Sequence, residues 1–200
     1  MTEVKFFSPE WAAAVRSALT AGPSEEVRSG KLQMYWDFFE LIKSGYSASW
    51  ALGCRDLPGP TTGLGGSPAY LFVQWGGGAV TDCAIIGPDE PLAATYVLAM
   101  EYAGWKALHE GYDAQRTVMY RKILLEDGDL LEFFKSIYFF VESLAVIGAL
   151  PATYTFNPSS GNTVTIPLPS GTSDQYVRLS FTANSVQNGA QVSELDVYGP

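Results

Sequence analysis

Of the residue types that most often serve general-base or transition-metal chemistry, this 200-residue chain has one histidine and two cysteines. His109 is the single histidine, so a site with several histidine ligands is excluded, and a histidine-dependent catalytic triad would have to use this residue. It lies beside Glu110 in a short segment of helical character, where a position at the protein surface is favoured over a role as general base. The sequence contains no convincing catalytic residue, and we predict that the protein is not an enzyme.

A group of carboxylates, Glu126, Asp127 and Asp129, has the ligand type that a hard cation prefers. These residues straddle an Asp-Gly pair, which is typical of a tight turn. We therefore interpret them as turn and cap formers, and we predict neither a bound metal nor a cofactor.

Glycines and cysteines do not indicate a cofactor site either. Gly63, Gly65 and Gly66 lack the preceding strand, the following helix and the lysine of a phosphate-binding loop. Cys54 and Cys83 are isolated thiols in apolar, strand-like segments, and two such residues make neither a disulfide framework nor a zinc site. We expect both to be buried and reduced.

Composition excludes some classes of partner. The formal net charge is −9 and is spread along the chain, whereas a nucleic-acid surface needs clustered Lys and Arg. The same charge disfavours electrostatic docking onto anionic membranes. Hydrophobic residues make up 47% of the chain, which is sufficient for a core in one ordinary domain, or in a domain of about 150 residues with an appendage.

No segment predicts secretion or membrane spanning. The N-terminal sequence MTEVKFFSPEW lacks the basic and apolar regions of a secretory signal. The longest apolar run, from Ile137 to Leu150, is interrupted by Glu142 and Ser143 and is too short to span a bilayer. We expect a cytoplasmic protein without stable membrane insertion.

Two helices are predicted near the N-terminus. Ser8 and Pro9 supply an N-cap and a proline at the first helical position, and the Gly-Pro pair at 22–23 ends this helix. Ser24 begins the second, with two glutamates in its first turn. Its apolar residues recur at helical spacing over one face, namely Leu32, Tyr35, Trp36, Phe39 and Ile42.

From Gly45 the apolar period changes to two, as in strands. Residues 46–52 alternate, residues 56–67 are rich in Gly, Pro and Thr and predict a loop, and residues 69–75 and 79–86 predict a hairpin. A further alternating strand follows at 96–102.

Two short helices, a strand and a long helix are expected next. The short helices are predicted at 104–110 and 113–120, and the strand at 121–126. Asp129 and Glu132 resemble a capping box at the start of the long helix, which Gly148 and Pro151 end. We predict that one wide apolar stripe of this helix covers a large surface: Leu130, Phe134, Ile137, Val141 and Leu144, with Phe133 and Phe140 beside it.

After Pro151 the composition shifts to Ser, Thr, Asn and Gly, and three strand-like runs replace the helical periodicity. We place a boundary near residues 151–156, which gives two parts, 1–150 and 151–200.

The first part resembles the sterol carrier protein (sterol-transfer) family. The resemblance rests on the ordered pieces WKxLxxGxD at 105–113, Met119, RKIxL at 121–125 and GD at 128–129, with a similar opening helix in FFSPEWAAAVRSAL. It implies an α+β fold in which helices cover a twisted sheet of about five strands. It also implies an apolar tunnel between the two layers that holds a lipid, without catalysis.

The residues expected to line such a tunnel are large apolar side chains on the predicted sheet and helices. Large aromatic residues and flexible methionine suit an adaptable apolar wall, and burying hydrocarbon supplies roughly 25 cal/mol per Å². The predicted lipid-binding residues are Trp36, Phe39, Trp50, Phe72, Trp75, Tyr96, Leu98, Met100, Trp105, Phe133, Ile137 and Phe140. The same stripes are also typical of a filled core, and both interpretations stay open at this point.

Residues 163–199 are similar to the closing strands of discoidin-type modules, the galactose-binding-like β-sandwiches. The words YVRL at 176–179, TAN at 182–184 and AQVSELxVYG at 190–199 carry the similarity. A complete module needs about eight strands, so these residues predict a short all-β segment resembling part of a sandwich.

Three functions follow from these resemblances. The first is non-catalytic binding and transfer of a sterol, fatty acid or acyl-CoA in an apolar tunnel. The second is an interaction or carbohydrate-recognition protein that works through residues 151–200, and the third is an accessory subunit of a steroid- or lipid-processing enzyme. The expected partners are a lipid or another apolar small molecule and, under the second and third functions, a further protein, but not nucleic acid.

Overall fold

The computed structural model describes residues 5–57 and 68–150, which form seven helices and five strands. In chain order these elements are α1 (Pro9–Ala21), α2 (Glu25–Ser29), α3 (Gln33–Gly45), β1 (Ser49–Cys54), β2 (Ala69–Gly76), β3 (Ala79–Ile86), β4 (Tyr96–Met100), α4 (Tyr102–His109), α5 (Ala114–Met119), β5 (Leu124–Asp127), α6 (Leu130–Lys135) and α7 (Ile137–Gly148).

The strands form one mixed sheet in the order β3-β2-β1-β4-β5. The central strand β1 is antiparallel to β2 and parallel to β4, while β3 and β5 pair antiparallel with β2 and β4. The predicted α+β class, with a sheet of about five strands and covering helices, is confirmed.

The central strand β1 is buried along its whole length. Its register places Trp50 beside Val73 and Tyr96, so these three side chains share the face that the helices cover. On the opposite face, a Cβ atom at Gly53 would lie 2.7 Å from the ring of Tyr70. The tyrosine ring therefore occupies the space that a larger residue at Gly53 would need.

Helix α1 begins and ends where its sequence predicts. The Ser8 hydroxyl accepts a hydrogen bond from the backbone N–H of Trp11 (3.1 Å), and Gly22 ends the helix with φ +75°. Its inner side buries Trp11, Val15 and Leu19 against the core.

The second predicted helix is divided into α2 and α3, which corrects the expectation of one continuous element. Gly30 follows α2, and glycine is a poor helix former. The carbonyl of Arg28 accepts a hydrogen bond from the indole of Trp36 (2.8 Å) and a longer one from the backbone of Lys31 (3.3 Å). The Arg28 carbonyl thus accepts these two bonds instead of a bond from the next turn of a continuous helix.

The last predicted helix is also divided, because Ser136 leaves the helical conformation with ψ +17°. Its hydroxyl donates to the carbonyl of Phe133 (3.1 Å), which satisfies part of the end of α6. Leu130 and Phe134 of the predicted stripe, which lie on α6 before the break, are half exposed instead of buried.

The strand predicted at 121–126 begins later, at Leu124. Arg121 has φ +55°, and the backbone N–H groups of Lys122 and Ile123 both donate to the carbonyl of Thr117. These bonds close the end of α5 and delay the pairing of β5 with β4. The two short helices before it lie within two residues of their predicted bounds.

Candidate functional site

Four buried rings lie between the sheet and helix α7. Trp50 of β1 and Trp75 of β2 are 5.2 Å apart between ring centroids, and Phe139 lies 5.6 Å from the first and 4.8 Å from the second. Phe140 meets Trp50 edge-on at 5.2 Å. We call these four residues the aromatic layer. Contacts of this kind contribute about 0.5–1.5 kcal/mol each beyond area burial.

On one side the aromatic layer continues towards β4. Phe140 packs edge-on against Phe133 (5.0 Å), which in turn contacts Tyr96 (5.3 Å). Leu98 and Met100 follow Tyr96 at two-residue spacing on β4 and are both buried in the same core. Five of the predicted lipid-binding residues therefore meet here.

On the other side the aromatic layer continues towards α3. Phe139 contacts Phe39 (5.4 Å), and Phe39 packs edge-on against Trp36 (5.5 Å). Ile137, at the start of α7, is partly buried against the same core. With Trp50 and Trp75, and with Trp105, which belongs to the same buried core, the structure brings eleven of the twelve predicted residues into one continuous apolar region.

Trp105 lies where the same core reaches the residues around the start of α1. Its ring meets Phe7 edge-on at 5.6 Å and Trp11 at 6.2 Å, and its indole N–H donates to the carbonyl of Gly53 (2.9 Å). The helix α4 that carries it is thereby fixed to the central strand.

Phe72 lies on the other face of the sheet from the aromatic layer. Strand β2 buries Leu71, Val73 and Trp75 on the helix-covered face, and Phe72 alternates with them and is half-buried. Side chains alternate between the two faces of a strand, so the odd spacing of Phe72 and Trp75 in the sequence predicts opposite faces for them.

Phe139, at the centre of the aromatic layer, is missing from the residues that the sequence singled out. The predicted stripe favoured the face of Phe140, whereas α7 packs on the sheet with a wider side that includes both Phe139 and Phe140. A serine between two apolar helical turns was the available signal.

Tyr46 is a second residue that sequence reasoning missed. Its hydroxyl accepts a hydrogen bond from the indole of Trp50 (2.6 Å), and its ring lies 4.9 Å from Phe139. Burial raises the pKa of Tyr46 to about 12, although its hydrogen bonds to Trp50 and Ser136 oppose that rise. A neutral phenol thus supplies a polar group at the edge of the aromatic layer.

A buried carboxylate connects α7 to the α2–α3 segment. The Glu142 side chain is only 3% exposed, and its Oε1 accepts hydrogen bonds from the Tyr35 hydroxyl (2.6 Å) and from the Lys31 ammonium. The Lys31 ammonium also lies 4.8 Å above the Tyr35 ring. Burial raises the pKa of Tyr35, and the hydrogen bond to the Glu142 carboxylate raises it further. These contacts keep the charge of Glu142 compensated inside an otherwise apolar helix.

The His109 imidazole is not at the surface, which corrects the expectation from the sequence. It packs edge-on against Phe6 (5.3 Å) and Trp11 (6.1 Å), and neither ring nitrogen makes a well-formed hydrogen bond to a described residue. Burial lowers its pKa, and the nearby backbone of Leu150 and Gly148 opposes part of that decrease. Its role in the described part of the chain is packing.

Of the three acidic residues near the β5–α6 turn, Asp127 and Asp129 form the turn and the cap as predicted, whereas Glu126 lies on β5 and forms an ion pair. The Asp129 carboxylate caps α6 by accepting from the backbone N–H groups of Leu131 and Glu132, and Asp127 accepts from Gly128. Glu126 pairs with Arg55 at 2.7 Å. Within residues 5–57 and 68–150 no three His, Cys, Asp or Glu side chains converge in a way that would hold a metal ion.

The two cysteines are free thiols. Cys54 is buried in the core as expected, whereas Cys83 on β3 is half-buried because it lies near the edge of the sheet. Burial raises the pKa of both thiols to about 12, so neither has the thiolate character of a reactive cysteine at neutral pH.

A small cavity lies where the end of α1, helices α3 and α7 and strand β2 meet. Its volume is about 10 Å³, room for one water molecule. The Trp75 indole N–H is buried without a hydrogen bond to a described residue. The cavity is lined by Leu19, Gly22, Pro23, Phe39, Lys43, Trp75, Phe139, Ser143 and Val146.

Comparison with known proteins identifies the fold. No protein-family model matches the chain, and no curated protein matches it. The crystal structure of sterol carrier protein 2 superposes with a TM-score of 0.56 at 18% identity, covering 74% of this chain and all of the other. The chain has the sterol carrier protein fold. A conserved hypothetical protein from Thermus thermophilus, described as a possible sterol carrier protein, superposes with a TM-score of 0.50 at 16% identity, covering 76% of this chain and 96% of the other.

The resemblance seen in the sequence of residues 1–150 is thus confirmed at the level of the fold. The similarity to discoidin-type modules falls on residues 163–199, which lie outside the described residues, and it stays a prediction. Among the described elements, every helix is too short or too polar to cross a bilayer.

Proposed function

We propose that this chain binds and carries a lipid, such as a sterol, a fatty acid or an acyl-CoA, between its sheet and its helices without catalysing a reaction. The observation that carries this proposal is the sterol carrier fold combined with eleven predicted apolar side chains in one region between the two layers. A cytoplasmic location and a further protein partner stay predictions from the sequence.

Among the described residues, the aromatic layer packs directly between the sheet and helix α7, and the cavity beside it holds only about 10 Å³. A lipid must therefore displace part of the packing. The separable contact is that of α3 with α7, where Phe39 meets Phe139 and the cavity already interrupts the packing. Each buried methylene group contributes about 0.8 kcal/mol, so a long acyl chain can offset contacts that α3 loses to α7.

Quenching of tryptophan fluorescence by dibromostearic acid tests the proposal directly, because bromine quenches an indole at close range. We expect saturable quenching at micromolar ligand, and we expect Trp50→Phe to remove a large part of the quenched emission. Phe72→Leu is the matched control, since Phe72 lies on the other face of the sheet and should leave the titration unchanged. Quenching that does not saturate, or that Trp50→Phe leaves intact, would contradict lipid binding at this site.

Deletion of residues 152–200 separates this proposal from recognition through the C-terminal segment. A lipid site between the sheet and α7 predicts that the shortened chain keeps saturable quenching. Loss of binding in a shortened chain that retains its unfolding transition would instead assign the function to the C-terminal segment. Mass spectrometry of an organic extract of the purified full chain identifies any lipid that copurifies.

A further inference from the structure

The outward side of helix α3 exposes a row of large apolar side chains. Met34, Phe38 and Leu41 follow each other at helical spacing on the side opposite the buried Trp36 and Phe39, and they are 74%, 48% and 70% exposed. Helices that only cover a core usually place polar residues on this side. The row therefore needs a separate explanation.

Tyr138 of α7 extends this row across the seam between the two helices. Its ring lies 6.4 Å from Phe38 and 5.8 Å from Tyr35, and it is itself 48% exposed. We call Met34, Phe38, Leu41 and Tyr138 the outer stripe. Helix α6, which leads into α7, exposes three more large apolar residues: Leu130, Leu131 and Phe134.

We propose that the outer stripe docks the protein onto the surface of an electrically neutral phospholipid bilayer, an inference that rests on the proposed function because a lipid carrier must exchange its ligand with a membrane. The stripe residues themselves carry no charge, and a chain with net charge −9 is repelled by anionic lipids. Apolar insertion is thus the available source of binding energy.

The shape and chemistry of the outer stripe favour a bilayer over a second copy of the chain. Two copies, each with net charge −9, repel one another. Met34 and Leu41 project from a single helix, and a fluid bilayer surface adapts to separate projecting side chains. Tyr138 supplies an aromatic ring with a polar end, the side-chain type that is enriched at the boundary between lipid and water.

The position of α3 connects the outer stripe with the proposed lipid site. The inner side of the same helix contributes Phe39 and Lys43 to the cavity that the aromatic layer borders. A bilayer that holds the outer side of α3 would therefore lie next to the contact that must open for a lipid to pass.

Flotation with neutral phosphatidylcholine vesicles tests the inference. We expect the full chain to float with these vesicles. The triple variant Met34→Gln, Phe38→Gln, Leu41→Gln should have a vesicle partition coefficient at least ~100-fold lower, because three exposed apolar side chains can no longer be buried in lipid. The matched control is Met119→Gln with Tyr120→Gln, two exposed apolar residues at the end of α5, which should float like the unchanged chain.

Four results would overturn the inference: no flotation of the unchanged chain, equal loss in the control, full flotation of the triple variant, or flotation only with anionic vesicles. A dimer in sedimentation velocity that the triple variant abolishes would assign the outer stripe to contact between copies instead. Dibromostearic acid added without vesicles should quench the triple variant normally. If dibromostearic acid does not quench the unchanged chain either, the result contradicts the proposed lipid binding itself, and not only the docking of the outer stripe.

Discussion

The buried carboxylate of Glu142 gives the sharpest test of how the helices are held together. It accepts two hydrogen bonds, from Lys31 and from Tyr35, and both donors lie in or just before α3. Replacing one donor leaves the charge buried with less compensation, whereas replacing all three residues by apolar ones removes the charge itself. We therefore expect the single substitutions to cost stability and the triple substitution to recover much of it.

The magnitudes follow from the contacts and the exposure. Tyr35→Phe removes a hydrogen bond to a charged acceptor and should cost about 1.5–3 kcal/mol. Breaking a buried ion pair costs about 3–5 kcal/mol, but the Lys31 side chain is 40% exposed, so water compensates part of the loss and Lys31→Met should cost about 2 kcal/mol. The triple variant Lys31→Met, Tyr35→Phe, Glu142→Leu should lie within about 1 kcal/mol of the unchanged chain.

Urea unfolding followed by circular dichroism measures these differences as shifts of the midpoint at constant slope. Glu40→Gln is the control, because the Arg28–Glu40 pair is an exposed ion pair that should contribute less than about 1 kcal/mol. The reasoning is refuted if the two single variants cost no more than the control, or if the triple variant loses as much as the singles combined.

Two further predictions concern the hairpin and the buried phenol. A Cβ atom at Gly78, which has φ +80°, would collide with the carbonyl of Lys43, whereas Gly77, with φ +58°, has open space around it. Gly78→Ala should therefore lower the urea midpoint clearly more than Gly77→Ala. Equal midpoints would refute the clash. The pKa of Tyr46 is raised by burial from about 10 to about 12, so the neutral phenol stabilises the fold fully below pH 10, and this contribution is lost as the pH rises towards 12. In thermal melts the stability of Tyr46→Phe should fall less steeply between pH 10 and 12, and an unchanged slope would contradict the assignment.

Local chemistry in the sequence predicted the parts of the fold that depend on nearby residues. Ser8 and Ser24 cap their helices as expected, and Asp129 caps α6. The hairpin turns at Gly77 and Gly78, both with positive φ. Each of these features is decided within about four residues, which is the range over which caps and turns act.

Contacts between distant residues explain what the sequence did not predict. The helical period continues through Gly30, and the break there also involves the indole of Trp36 on the next helix. The burial of His109 depends on Phe6 and Trp11, which lie near the other end of the described chain. Glu142 was visible as an interruption of an apolar run, but its donor Lys31 is 111 positions away. A sequence pattern carries no record of such partners.

Helix α3 is the element at which the two proposals meet. Its inner side closes the aromatic layer through Phe39, and its outer side carries the outer stripe. Tyr35 on the helix and Lys31, two residues before its start, connect this segment to α7. Under the proposed function α3 moves away from α7 to admit a lipid, and Phe139 and Phe140 could then keep their contacts with the sheet. The hydrogen bonds to Glu142 are then polar contacts that oppose this movement. After it, water would donate hydrogen bonds to the Glu142 carboxylate in place of Tyr35 and Lys31. Under the proposed function, a buried charge whose partners come from one helix segment would favour the closed state and still allow α3 to open for a lipid.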